Sequence, residues 1–183
     1  MVDARTDPPA ATGSPARNSG ALLAYLDSLG IDARTVEHRP VFTVAESQQV
    51  RDSMPGAHTK NLFVKDRKGR HFLLTVPEDG RVDLKSIHRR IGASGRVSFA
   101  GADALMALLG VVPGAVTPFG IINDKDRAVT LIFDAALMDQ RVIHAHPLRN
   151  DATTAITPAQ MRRFVEAVGH DFNVLKLAGE EAT

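Results

Sequence analysis

The sequence predicts a mixed α/β domain, a central and mostly antiparallel sheet with helices packed around it. Two observations lead there. Short strand-like runs flank tight, polar turns, as at "TKNLFVKDRKGRHFLLTV", and these runs alternate irregularly with amphipathic helical stretches. No regular βαβ repeat is present, which argues against a doubly wound parallel sheet. A length of 183 residues suits one domain with a real core, and 44% hydrophobic with 23% charged residues is the composition of a soluble globular chain.

Residues 1–19 are rich in Ala, Pro, Ser, Gly and Thr without an apolar run, and are expected to form a disordered tail ahead of a domain over residues 20–183. "SGALLAYLDSLGI" sets Leu22, Leu23, Leu26 and Leu29 on one helical face and stops at Gly30. "RTVEH" reads as a short strand. Thr43 and Glu46 stand at capping-box spacing, so a second helix is expected over "TVAESQQVRDS". Thr59–Asp66 and Arg70–Val76 form a hairpin around "DRKG". "DLKSIHRRIG" reads as a short helix, "RVSFA" as a strand and "GADALMALLG" as a helix ending at Gly110. A second hairpin is expected from "AVTPFGIIND" and "RAVTLIFD", then a strand at "RVIHAHP". Thr157, Pro158 and Gln160 open a final helix, and "FNVLKL" closes the chain as a strand.

Several chemistries are excluded. There is no cysteine, hence no disulfide, thiolate nucleophile or cysteine-bound zinc. P-loop, G-x-S-x-G, H-E-x-x-H and strand-linked G-x-G-x-x-G patterns are missing. No secretory signal or membrane-spanning run is seen, so a cytoplasmic chain is expected. Ser94 in "GASG" reads as an ordinary turn, and Asp124 and Asp126 in "NDKD" as a solvated turn lacking the other ligands of a calcium loop. His144 and His146 share a strand face, but no third metal ligand stands near them, so no metal or cofactor is expected.

Four features remain open to two readings. Lys60, beside Asn61 at the start of an apolar strand, either snorkels to water or projects its ammonium into a pocket. Gly114–Pro118 is either a plain turn or a loop that offers backbone groups to a ligand. His146 is structural or contacts a substrate. Between Lys60 and Arg96, ten Lys or Arg face four Asp or Glu under a net charge of only +1, which marks a solvated face or a phosphate-binding one.

Taken together and in order, "HRPVFTVAES", "TKNLFVKD", "GAVTPFG" and "HAHPLRND" resemble the YbaK/prolyl-tRNA-editing deacylases, in particular the free-standing ProX type, over Ala21 to Leu177. The resemblance implies a compact mixed α/β fold and removal of alanine from alanyl-tRNA(Pro). It implies that Lys60 is the essential lysine with Asn61 beside it, and that Gly114 and Pro118 bound the loop that holds the aminoacyl end, with Phe119 and Gly120 continuing it. It places His146 at the pocket and gives His144 no counterpart. It further implies hydrolysis assisted by the ribose 2′-hydroxyl of the substrate. Arg89 and Arg90, inside the basic stretch, are expected to meet tRNA phosphates. The expected partners are the acceptor end of a mischarged tRNA and prolyl-tRNA synthetase, with the protein itself a monomer. Another mischarged ester such as cysteinyl-tRNA(Pro), or a non-catalytic tRNA-binding module, are the competing readings.

Overall fold

The computed structural model describes residues 17–40 and 44–179. The expected tail and the Thr43/Glu46 capping box lie outside the described residues, apart from the last few residues of the tail. The first helix, α1 (Ser19–Ser28), is capped by Asn18, whose side chain accepts the Ala21 N–H, and it buries Leu22 and Leu26. Strand β1 (Arg34–Glu37) and helix α2 (Val44–Ser53) follow, then the hairpin β2 (Ala57–Lys65) and β3 (His71–Pro77). Helix α3 is confined to His88–Ile91, shorter than "DLKSIHRRIG" suggested, because Asp83 takes the Lys85 N–H and the Ser86 hydroxyl into a turn. Beyond it come β4 (Ser98–Phe99), α4 (Ala102–Leu109), β5 (Val129–Asp134), β6 (Ile143–Ala145), β7 (Ala152–Ile156), α5 (Pro158–Ala167) and β8 (Asn173–Leu175).

These strands make one sheet in the order β1-β7-β6-β2-β3-β5-β8, with β4 attached to β2. Four pairings are antiparallel and three parallel, so the sheet is mixed. On one edge β2 pairs with β3 from Thr59 to Lys65. On the other edge it pairs with β6 at Ala57 and His58, and with β4 at Val64 and Lys65. Thr59 to Phe63 therefore have a strand neighbour on one side only.

The expected second hairpin is not formed. Pro118–Asn123 is a turn of 3₁₀-helix: the Thr117 hydroxyl accepts the Phe119 N–H, Pro118 stands at the first helical position, and Phe119, Ile121 and Ile122 point into the core. Strand β5 then runs parallel to β3 instead of back along the preceding segment. Strand β7 was not expected; its small residues Thr154 and Ala155 pair with both β1 and β6.

The main core lies between one sheet face and α1, α4, α5 and the 3₁₀ turn; a smaller core under α3 is built on Leu74, Val76, Ile87 and Leu177. Helix α5 starts at Thr157, Pro158 and Gln160 as expected, and Thr157 and Gln160 form a capping box there, each bonding the other's backbone. Its Phe164, fully buried, meets Phe119 edge-on at 5.4 Å and Tyr25 at 6.4 Å. Phe164 thus clamps the 3₁₀ turn against the core. Phe164→Ala is expected to cost about 3–5 kcal/mol, read as a lowered midpoint in chemical denaturation; a loss below about 1 kcal/mol would show that the turn is held by other contacts.

Candidate active site

Strand β2 brings four successive residues to one place. His58 and Thr59 line a cleft of about 220 Å³, together with His38, Val50, Glu78, Ala145, Thr153, His144 and His146. Asn61 is an anchor rather than a wall residue. Its Nδ2 donates to the Val116 carbonyl at 3.0 Å, and its Oδ1 accepts from the Thr75 hydroxyl at 2.7 Å. One amide therefore ties the Gly114–Pro118 loop to the sheet. Lys60 stands between the cleft residues and this anchor, half-buried, on the same strand face as His58 and Leu62. It is not part of the cleft wall. Among the described residues no carboxylate pairs with its ammonium.

In the loop, Gly114 is exposed with φ of 90°, a conformation that resists any side chain even though the space beside it is open. The N–H groups of Gly114 and Val116 have no acceptor among the described residues. Behind it, Pro118, Phe119 and Gly120 are buried, and a Cβ on Gly120 would lie 3.0 Å from the Leu109 Cβ. These three residues support the loop from within; its exposed part is Gly114.

The histidines are fixed by carbonyls. His146 donates Nδ1–H to the Ala152 carbonyl at 3.0 Å, which leaves Nε2 as the acceptor atom. Burial pushes its pKa below the ordinary imidazole value, with the Ala152 bond acting the other way. His144 donates Nε2–H to the Pro55 carbonyl, its Nδ1 is buried without a partner among the described residues, and burial again lowers its pKa. His58 stacks on His144 at 4.5 Å and bonds the Met54 carbonyl, while His38 spans the Arg39 carbonyl and the Thr153 hydroxyl. Gly56 fits only because it lacks a side chain: at φ of 131° a Cβ would lie 2.8 Å from the His144 Nε2. The turn following His146 puts Leu148 at φ of 65°, and Arg149 holds it through Glu37 and Asp151.

His146 is thus in the cleft, Asn61 and Gly114–Pro118 are joined to each other, and Lys60 lies between these groups. Arg89 and Arg90 are exposed on α3, away from the cleft, with Arg90 donating to the Lys176 carbonyl. The sequence reading missed His38 and His58. The signal for His58 was its position two residues before Lys60 on one strand face; His38 opens the first of the four ordered motifs. Asp124, read as a solvated turn residue, is buried, and its carboxylate takes the Ala128 and Val129 N–H groups. No group of three or more metal-ligating side chains occurs among the described residues, and no helix among them is long and apolar enough to cross a membrane.

The lowered pKa values set a direction for stability. His144 and His146 take up protons in the unfolded chain before they do in the folded one. Stability is then fully present above the ordinary histidine value of 6.5 and is lost as pH falls through the folded values. The thermal midpoint should drop between pH 7.5 and pH 5, and less so in His144→Gln; equal pH slopes for the two proteins would show that His144 protonates freely in the fold.

The aminoacyl-tRNA editing domain family matches residues 38–164. A prolyl-tRNA editing protein ProX of Acetoanaerobium sticklandii is 35% identical over 158 residues, covering 86% of this chain and 96% of its own. A prolyl-tRNA synthetase associated domain-containing protein 1 of Danio rerio is 37% identical over 172 residues, covering 93% of each chain. A solved structure of a protein provisionally described as a trans-editing enzyme for prolyl tRNA synthetase superposes with a TM-score of 0.68 at 22% identity, covering 92% of this chain and all of that one, a likeness of fold. The family match takes in the cleft, the Asn61-anchored loop and their supports alike, and this chain belongs to the aminoacyl-tRNA editing domain family.

Proposed function

We propose that this chain hydrolyses the ester of alanyl-tRNA(Pro), releasing alanine and leaving prolyl-tRNA(Pro) intact. The observation that carries the reading is the Asn61 amide, which ties the Gly114–Pro118 loop to the strand that bears Lys60 and lines the cleft. An ester, unlike an amide, is already activated, so positioned water and charge stabilisation suffice without a nucleophilic triad. The water oxygen attacks the ester carbon and the bond to the ribose oxygen breaks. That oxygen regains a proton, and alanine leaves as the free acid.

In this reading the free N–H groups of Gly114 and Val116 face the carbonyl oxygen as negative charge develops there. Lys60, which has no carboxylate partner among the described residues, neutralises that charge or holds the terminal phosphate. Neutral His146 accepts a hydrogen bond from the substrate at Nε2. The ribose 2′-hydroxyl orients the water. Phe119 and Gly120 act by fixing the loop from behind. A cleft of about 220 Å³ suits a small aminoacyl group. Collision rejects the proline ring, where binding alone would discriminate by only about 1–3 kcal/mol per methylene. Arg89 and Arg90 take phosphates of the tRNA. Prolyl-tRNA synthetase, the source of the mischarged product, is the expected partner of a monomeric, cytoplasmic editing protein.

A deacylation panel tests this directly. Alanyl-tRNA(Pro) should be cleared, prolyl-tRNA(Pro) spared and cysteinyl-tRNA(Pro) cleared more slowly; equal rates on alanyl and prolyl esters would overturn the sieve. Lys60→Ala should slow single-turnover hydrolysis by about 10²–10³-fold with an unchanged circular dichroism spectrum. A folded variant at the wild-type rate would mean that Lys60 merely reaches to solvent.

A further inference from the structure

The basic excess of the sequence is gathered at one end of the β2–β3 hairpin, and that end is not the cleft. Arg67, Lys68 and Arg70 lie on the turn, Arg96 lies on the loop following α3, and Arg89 and Arg90 lie on α3 itself; all six are exposed. The cleft is at the other end, where His58 begins β2. From His58 to Lys65 the strand runs seven residues, about 23 Å at about 3.3 Å per residue.

This end is a built surface. Asp66, its side chain fully buried, accepts the N–H groups of Lys68 at 2.9 Å, Arg70 at 3.0 Å and Ser94 at 2.8 Å, and also the Arg70 Nε at 2.9 Å. Arg67 N–H donates to the Ser94 carbonyl, and Arg70 Nη2 to the Gly92 carbonyl. The Arg67 stem lies across Gly95, where a Cβ would sit 2.8 Å from its Cδ. One acid thus straps the turn to the loop and is consumed inside. Among the described residues Arg67, Lys68, Arg89 and Arg96 have no carboxylate partner. These four cations therefore face water with no carboxylate among the described residues to neutralise them, while Arg70 is paired with Asp66.

We infer that this platform is a second RNA contact, gripping the phosphates of a paired stem while the cleft holds the terminal ester. The inference rests on the proposed function for the identity of the RNA. A surface about 23 Å from the cleft is beyond the reach of the terminal aminoacyl-adenosine, so it meets the duplex that follows the unpaired 3′ end. Exposed arginines and a lysine fit phosphate recognition on A-form RNA, whose deep, narrow major groove side chains do not read.

The test replaces Arg67, Lys68 and Arg96 together by Glu, leaving Arg70 to its bond with Asp66. Binding of uncharged full-length tRNA(Pro) is titrated across salt concentrations, and hydrolysis is followed on full-length alanyl-tRNA(Pro) and on an alanylated CCA trinucleotide. The expected result is binding weaker by about tenfold or more, with a log–log salt slope shallower by about two to three. The half-saturating concentration of alanyl-tRNA(Pro) should rise with little change in the saturated rate, and trinucleotide hydrolysis should stay at the wild-type level. Unchanged affinity and salt slope, or equal losses on both substrates, would overturn the platform. A wild-type protein that hydrolyses neither substrate would remove the deacylase reading alone, because the binding titration judges the platform independently.

Discussion

The site exists because one edge of β2 is divided. β6 takes the first two residues of that edge and β4 the last two, so Thr59 to Phe63 lack a strand neighbour there. A sheet interior would leave no room for a loop beside Lys60 and Asn61. The Asn61 amide then replaces what a ladder would have supplied, giving the Val116 carbonyl a donor and taking the Thr75 hydroxyl as its own. Buried polar groups must find partners, and here that requirement determines where the loop goes. Gly114 can present its backbone outward because Asn61 holds Val116 inward and the buried 3₁₀ turn stops the chain behind Pro118.

The imidazoles obey a related constraint. His144 and His146 are set among strands β6, β7 and β2, where desolvation penalises the charged ring. Each is oriented by one carbonyl, so each has a defined tautomer. A neutral ring with a known acceptor atom is suited to orienting a substrate rather than to neutralising it. Arg51 is paired with Glu78 of the cleft wall, whereas Lys60 beside the cleft has no carboxylate partner among the described residues. In the proposed reading, orientation falls to the histidines and neutralisation to Lys60, and no group of three metal-ligating side chains occurs among the described residues.

What was legible in the sequence was local. The hairpin at "DRKG", the Thr157–Gln160 cap and the helix stops at Gly92 and Gly110 each depend on a few adjacent residues, and each is found. What was missed depends on distant pairing. "AVTPFGIIND" has strand-like residues, but Thr117 capping and burial of Phe119, Ile121 and Ile122 against α4 and α5 make it a 3₁₀ turn. Strand β7 is a strand because β1 and β6 flank it, not because "ATTAI" insists on one. At the site, Lys60, Gly114 and His146 could be named from ordered motifs. The way in which Asn61 ties the Gly114–Pro118 loop to the strand of Lys60 could not, since nothing in the chain between Asn61 and Val116 marks that carbonyl as its partner.

The charge distribution shows why the neutral total misleads. Asp66 counts against the basic residues around it in the sum, yet in the fold its carboxylate is enclosed and occupied by N–H groups. Burial alone would raise its pKa, but the bonds from Ser94, Arg70 and Lys68 outweigh that and lower it to about 2. It therefore remains an anion in the fold throughout the physiological range, paired with Arg70 alone among the exposed cations around it. The same acid organises the turn by accepting the Lys68, Arg70 and Ser94 N–H groups. The β2–β3 hairpin thus has two differently made ends, one where histidines line a small cleft with Lys60 beside it, and one where cations stand around a turn organised by a buried carboxylate. A rigid hairpin fixes the distance between them, and any molecule that engages both ends must match that distance.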